Sequence, residues 1–155
     1  MKILIGSDHA AFKYKEEIIR FLKEDGYVIE DMGIYEEVAI KDYSMAERVG
    51  LDVVRDKSNL GILICGTGIG MSISVNKIPG VRAALCHNLF TAEMSRLHNN
   101  SNILIFGSRV IDIELAKAMV KIWLGTEFEG GRHTQRNEHI MALDEKYRCY
   151  PRKDS

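Results

Sequence analysis

Short apolar runs punctuate the chain at KILIG (2–6), YVIEDM (27–32), GILIC (61–65), VRAALC (81–86) and NILIF (102–106), and each reads as a strand. The runs over 62–65 and 103–106 are continuous rather than alternating, which is the pattern of a sheet covered on both faces and hence of parallel pairing. Between the runs, apolar residues recur at helical spacing: Ala11, Ile18 and Leu22; Met45, Val49 and Val53; Ile69 to Val75; Leu89 to Leu97; Leu115, Met119 and Ile122. Strand and helix alternate five times, which predicts a doubly wound α/β domain. The last segment, GGRHTQRNEHIMALDEKYR, places Ile140, Leu143 and Tyr147 at helical spacing. With no strand of its own to cover, this helix is expected to pack on a partner subunit.

In such folds the ligand sits outside the carboxyl ends of the strands. The residues that follow the strands are therefore the first place to look for chemistry. They are Ser7, Asp8 and His9; Cys65 to Gly70; Cys86, His87 and Asn88; and Gly107, Ser108 and Arg109. Most are polar or ionisable groups suited to sugar and phosphate.

The 155 residues suffice for one core, so residues 1–150 read as a single domain with 151–155, PRKDS, as a polar tail. Lys+Arg 21 against Asp+Glu 22 leaves no global field to attract nucleic acid or a membrane surface, and any anion site must be local. The N-terminus reaches Gly, Ser, Asp and His after four residues, and no apolar run approaches the ~20 needed to span a bilayer. A cytoplasmic protein is expected. Cys65, Cys86 and Cys149 are widely spaced and form no C-x-x-C pair, so reduced thiols are expected rather than disulfides or a redox motif.

The stretch CGTGIGMS (65–72) offers three readings: a nucleotide loop, a reactive thiol, or an anion site beside a proton-transferring cysteine. It is not G-x-G-x-x-G, because Met71 stands where the third small residue belongs, and no acidic residue ends the following strand to hold a ribose. What survives is the general property of a glycine-rich helix start, whose inward-facing amides suit an oxyanion. A cysteine ending a buried strand is usually packing material, but one beside a helix start is a candidate nucleophile or base. His9 follows Asp8 at a strand end, and His98 in RLHNNSN precedes the last strand, from where it is expected to reach the carboxyl edge. No ligand pair with metal spacing is evident, so no metal is expected. Arg132 and Arg136, spaced i, i+4, share one helix face, and spacing alone favours a solvated one.

Together these segments closely resemble the type B ribose-5-phosphate isomerases, a family that also holds the galactose-6-phosphate isomerase subunits. The matching stretches are GSDHAAF (6–12), ICGTGIGMSISVNKIPGVRAALC (64–86), SRLHNNSNIL (95–104), FGSRVI (106–111) and EGGRHTQR (129–136). The resemblance implies a Rossmann-like three-layer α/β/α fold and a homodimer, possibly a tetramer, with active sites at the subunit interface and no cofactor. It also implies interconversion of an aldose phosphate and a ketose phosphate through a cis-enediolate.

Residue by residue, the resemblance makes Cys65 the base, with Thr67 beside it, and makes the amides from Gly66 through Gly68 and Ile69 to Gly70 the anion hole. His98 opens the furanose ring, and Asp8 and Asn99 hold sugar oxygens. Tyr43 lines the site. His9 and Arg109 of one subunit, with Arg132 and Arg136 of the other, bind phosphate. Some members of the family carry an acidic base on the helix instead, at a position matched here to Val75. Ribose 5-phosphate is the expected substrate, with a six-carbon aldose phosphate (allose 6-phosphate or galactose 6-phosphate) and a non-catalytic sugar-phosphate sensor as alternatives. The family usually has DYP where this chain has DYS (42–44), which removes a rigid turn before the second helix.

Overall fold

The computed structural model describes residues 1–33 and 42–147. Cys149 and the polar tail lie outside the described residues. Five strands, β1 (Ile3–Ser7), β2 (Ile29–Asp31), β3 (Leu60–Cys65), β4 (Ala83–Leu85) and β5 (Ile103–Gly107), form one all-parallel sheet in the order β2-β1-β3-β5-β4. Among the described residues there are six α-helices: α1 (Phe12–Glu24), α2 (Ser44–Arg55), α3 (Ile69–Val75), α4 (Leu89–Leu97), α5 (Ile113–Gly125) and α6 (Arg132–Tyr147). The fold is therefore the Rossmann-like three-layer α/β/α architecture. The expected strands at 27–32 and 81–86 shrink to three residues each because they pair on one side only, at the two margins of the sheet.

The continuous apolar runs are explained by alternate residues facing opposite helical layers. Ile3, Ile5, Ile62, Ile64, Leu104 and Phe106 pack with Ile18, Leu22, Met119 and Trp123 of α1 and α5. Leu4, Leu63, Cys65, Ile103 and Ile105 face the other way, onto Met45, Val49 and Val53 of α2 and Met71 and Val75 of α3. Burying side chains of this size contributes roughly 1.5–3 kcal/mol each, which specifies the register of the inner strands. Cys65, at the last position of β3, thus belongs to the α2/α3 face.

The chain order turns at β1, whose two neighbours are β2 and β3. The segments following β1 and β3 part there and leave a crevice at the carboxyl edge. Each helix then returns the chain to the amino edge, so whatever follows α4 or α5 lies there. The sequence led us to expect His98 at the carboxyl edge; it caps the C-terminal end of α4 and lies at the opposite one. α6 packs on that amino edge of its own chain: Asn137 Nδ2 donates to the His98 carbonyl at 2.8 Å, and Asp144 Oδ2 accepts the Gly80 N–H at 2.7 Å. Its Ile140, Leu143 and Tyr147 remain exposed, so the expected packing on a partner concerns only that part of the helix.

Candidate active site

The crevice is built by the ends of β1, β3 and β5. The Asp8 N–H donates to the Ile64 carbonyl at 3.1 Å, and the Ser108 N–H to the Cys65 carbonyl at 2.8 Å, so the three strand ends are tied together. Asp8 Oδ1 accepts the Ala11 N–H at 3.2 Å and caps the single 3-10 turn His9–Ala11, which leaves His9 exposed at the rim.

Cys65 is 5% exposed, and its Sγ accepts the Gly68 N–H at 3.0 Å. That bond requires the chain to double back within three residues, which it does with Gly68 at φ +80°. A Cβ on Gly68 would run into the Leu85 side chain and the Phe106 backbone, so the position excludes side chains by conformation and by space. Thr67 is exposed, and its Oγ1 accepts the Ile69 N–H at 3.3 Å. The first-turn amides of α3, at Ile69 and Gly70, have no carbonyl four residues back within the helix to bond.

Two side chains close over this loop. Arg109 lies across Gly66, where an added Cβ would meet its guanidinium atoms at 3.4–3.5 Å. The Tyr43 hydroxyl lies against Gly70, where an added Cβ would collide with it. In place of the rigid proline turn, the Asp42 carboxylate accepts the Ser44 N–H at 3.0 Å; hydrogen bonding by the Ser44 side chain first, and this backbone bond second, hold the carboxyl below its usual range. Val75 does not belong to this group: it is the last residue of α3 and fully buried against Gly50, so an acid there would face the core.

A second cluster occupies the amino edge. The His98 and His133 rings stack with centroids 4.1 Å apart and planes 9° apart. Glu129 Oε2 reaches both Nε2 atoms, at 3.9 Å from His98 and 3.6 Å from His133. Arg132 Nε donates to His133 Nε2 at 3.1 Å, which fixes that nitrogen as an acceptor. Burial first, and then the charges of His98 and Arg132, hold the His133 imidazole below its ordinary pKa, with Glu129 opposing. Arg136, one turn on from Arg132, is exposed, as is Asn99, which borders a small cavity beside β4. His98, Glu129 and His133 present three ligand-type atoms within 4.8 Å of one another. However, a metal is bound in the plane of an imidazole, and parallel rings offer no point that lies in both planes.

Sequence order thus divides between two places. Asp8, His9, Tyr43, Cys65 to Gly70 and Arg109 gather at the carboxyl edge, whereas His98, Asn99, Arg132 and Arg136 gather at the amino edge. Strands of five or six residues separate them by roughly 16–20 Å. Glu129 and His133 were not among the expected site residues, although both lie in the matching stretch EGGRHTQR (129–136); the glycine pair Gly130 and Gly131, both at positive φ, is the signal that the chain turns sharply there.

A family model described as Ribose/Galactose Isomerase matches residues 3–140. The chain belongs to this family. It is 45% identical over 145 residues to ribose-5-phosphate isomerase B of Escherichia coli K12, covering 94% of this chain and 97% of the relative. It is 40% identical to D-erythrulose-4-phosphate isomerase 2 of Mycolicibacterium smegmatis, over 83% and 87% of the two chains. The structure of Clostridium thermocellum ribose-5-phosphate isomerase B matches with a TM-score of 0.90 and 44% identity, over 95% and 99% of the two chains. The protein is accordingly an aldose-ketose isomerase. No helix among its described residues is long and apolar enough to cross a membrane.

Proposed function

We propose that this isomerase interconverts ribose 5-phosphate and ribulose 5-phosphate, with Cys65 as the base. The observation that carries the reading is the Gly68 N–H on Cys65 Sγ, which holds the sulfur beside the first turn of α3. His98 moves the protons that open the furanose ring. Cys65 takes the proton from C2, and the electron pair passes to the C1 oxygen, giving a cis-enediolate. Cys65 returns the proton to C1 while the O2 proton moves to O1, with Thr67 alongside, and the ketose results.

The amides from Gly66 to Gly70 face the developing negative charge, and losing one such donor typically costs 10²–10³ in rate. Asp8 and Asn99 hold sugar hydroxyls, and Tyr43 covers the substrate. His9, Arg109, Arg132 and Arg136 bind the phosphate. No cofactor or metal takes part. A cytoplasmic setting fits the two free thiols among the described residues, Cys65 and Cys86.

The split between the two edges supports a homodimer in which the amino-edge cluster of one chain completes the carboxyl-edge crevice of its partner. The relative named for a four-carbon ketose phosphate means that family membership does not fix sugar length, so ribose 5-phosphate is tested beside four- and six-carbon aldose phosphates. In deuterated water, wild type should form ribulose 5-phosphate with deuterium at the exchanged carbon, and Cys65→Ala should lose both. Near-full exchange by Cys65→Ala would remove the cysteine from the mechanism. Mixing inactive Cys65→Ala chains with inactive Arg132→Ala/Arg136→Ala chains should restore activity through one intact site per hybrid; a mixture as inactive as its parents, after verified exchange, would refute the sharing.

A further inference from the structure

The place of Glu129 is built from both sides. Its N–H donates to the Leu97 carbonyl at 3.0 Å, one residue before His98. The chain then reverses through Gly130 and Gly131, at φ +70° and +54°, and the His133 N–H closes the turn on the Gly130 carbonyl at 3.0 Å. Backbone that grips the end of α4 and the start of α6 thus delivers the carboxylate to the His98–His133 stack. The Glu129 side chain is 55% exposed, so packing does not require an acid there.

The two rings that Glu129 faces differ. His133 is buried, and its Nε2 lone pair is taken by the Arg132 Nε–H at 3.1 Å, so the neutral ring carries its proton on Nδ1. Glu129 Oε2, 3.6 Å from that Nε2, therefore faces an acceptor. His98 is the ring with a nitrogen to spare: its Nε2 lies 3.9 Å from the same oxygen and has no hydrogen-bond partner among the described residues. Both separations exceed a hydrogen bond, so the carboxylate acts here by charge. The cations beside the stack are Arg132 and Arg136. Glu129 is the only carboxylate within 4 Å of either ring among the described residues.

The rest of His98 is already held. His133 covers one face at 4.1 Å, and the Asn137 amide bonds the His98 and His133 carbonyls at 2.8 and 2.9 Å. A face contact fixes the plane of an imidazole but not its two-fold flip about χ2, which exchanges nitrogens for carbons at the ring edge. A charge on one edge decides between the flips.

We infer that Glu129 is a positioning residue for ring opening: its carboxylate selects the flip that brings Nε2 to its own side, and it offsets the repulsion of Arg132 and Arg136 when His98 carries a proton. The inference rests on the proposed role of His98. Opening the furanose breaks the bond from C1 to the ring oxygen and forms the C1 carbonyl. The C1 hydroxyl loses a proton and the ring oxygen gains one, so the step needs a proton carrier held in place. A misdirected imidazole slows this step without touching Cys65.

The test separates ring opening from proton transfer at carbon. Ribulose 5-phosphate has no furanose to open, because its C5 oxygen carries the phosphate, so deuterium exchange at its C1 in deuterated water reports the Cys65 step alone. Glu129→Gln keeps the side-chain shape and removes the charge. It should lower kcat on ribose 5-phosphate about tenfold with KM nearly unchanged, and leave the ribulose 5-phosphate exchange at the wild-type rate. Glu129→Asp keeps the charge and should retain more turnover than Glu129→Gln; the reverse order would overturn the inference. In a His98→Asn background, Glu129→Gln should add nothing, and a further tenfold loss there would show that Glu129 does not act through His98. Wild-type kcat in Glu129→Gln, with His98→Asn slow, would overturn the role of Glu129 and leave that of His98 standing. Equal losses in turnover and exchange would overturn it as well, since ring opening would not be the step affected. Wild-type turnover by His98→Asn would instead remove the reading on which the inference rests.

Discussion

The imidazoles of His98 and His133 lie face to face at 4.1 Å, with Glu129 within 3.9 Å of both Nε2 atoms. Two like charges at stacking distance would repel. The His133 pKa is depressed by burial and then by the charges of His98 and Arg132. Because its folded pKa is below its unfolded value of about 6.5, the unfolded chain binds more protons there. The contribution to stability is therefore complete above that pH and lost as pH falls toward the folded value. The denaturation midpoint should drop between about pH 8 and about pH 5, and drop less in His133→Gln. An equal drop in the variant would assign the effect to other groups.

Gly68 stands at φ +80° with no room for a side chain. Gly68→Ala pays about 1–2 kcal/mol for the left-handed conformation, and the contact with Phe106 backbone must also be relieved. The loop should shift and carry its N–H away from Cys65. Thermal melts are expected to show a lower midpoint, and kcat is expected to fall by at least about tenfold. Wild-type kcat in a destabilised Gly68→Ala protein would show that the amide on sulfur does not matter to the reaction.

Tyr43 and Gly70 form a contact of a different kind, because Tyr43 is 49% exposed and free to swing outward. Gly70→Ala should therefore leave the fold nearly unchanged and cost about tenfold in kcat/KM, mainly through KM, by displacing the tyrosine. In a Tyr43→Ala background the same glycine change should add little. Full additivity in that double-mutant cycle would mean that the two residues act separately.

Lys15 is a fully buried ammonium on α1, 2.7 Å from both carboxylate oxygens of Asp31, whose side chain is 28% exposed. Glu16 stands at 3.4 Å. Asp31 also accepts the Gly33 N–H at 2.9 Å, so the pair pins the end of β2. Removing the carboxylate leaves a buried charge with poorer compensation, whereas removing the ammonium leaves a carboxylate that water can reach. Asp31→Ala should cost about 3 kcal/mol in urea unfolding and Lys15→Met distinctly less. The reverse order would mean that Glu16 and the neighbouring groups suffice for the cation.

The inner strands were legible because a strand buried on both faces must be apolar at every position, and ILI (62–64) and ILIF (103–106) satisfy that without a break. The loop at Cys65 was legible because few sequences need three alternating glycines. His98 was misplaced for a topological reason: its position just before β5 suggested the strand's neighbourhood, but in a parallel sheet the residues entering a strand stand at the amino edge. Val75, the position matched to the family's alternative base, lies apart from the loop because the last turn of a short helix points elsewhere than its first. Lys15 gave no signal, because its burial depends on Asp31, sixteen positions away. The exposed α6 residues Ile140 and Leu143 keep helical spacing without a core of their own chain to face, so periodicity marked the helix but not what it packs on.

The separation of Cys65 from His98 by the length of a strand has a consequence for how much of this protein works at a given concentration. Rotamer changes and loop closure move side chains by a few ångströms, far short of the roughly 16–20 Å between the edges. With the residue set proposed above shared between two chains, turnover would be second order in chains at high dilution, and specific activity should decline as enzyme is diluted below the dissociation constant of the pair. For such a protein the assay concentration belongs beside every reported rate.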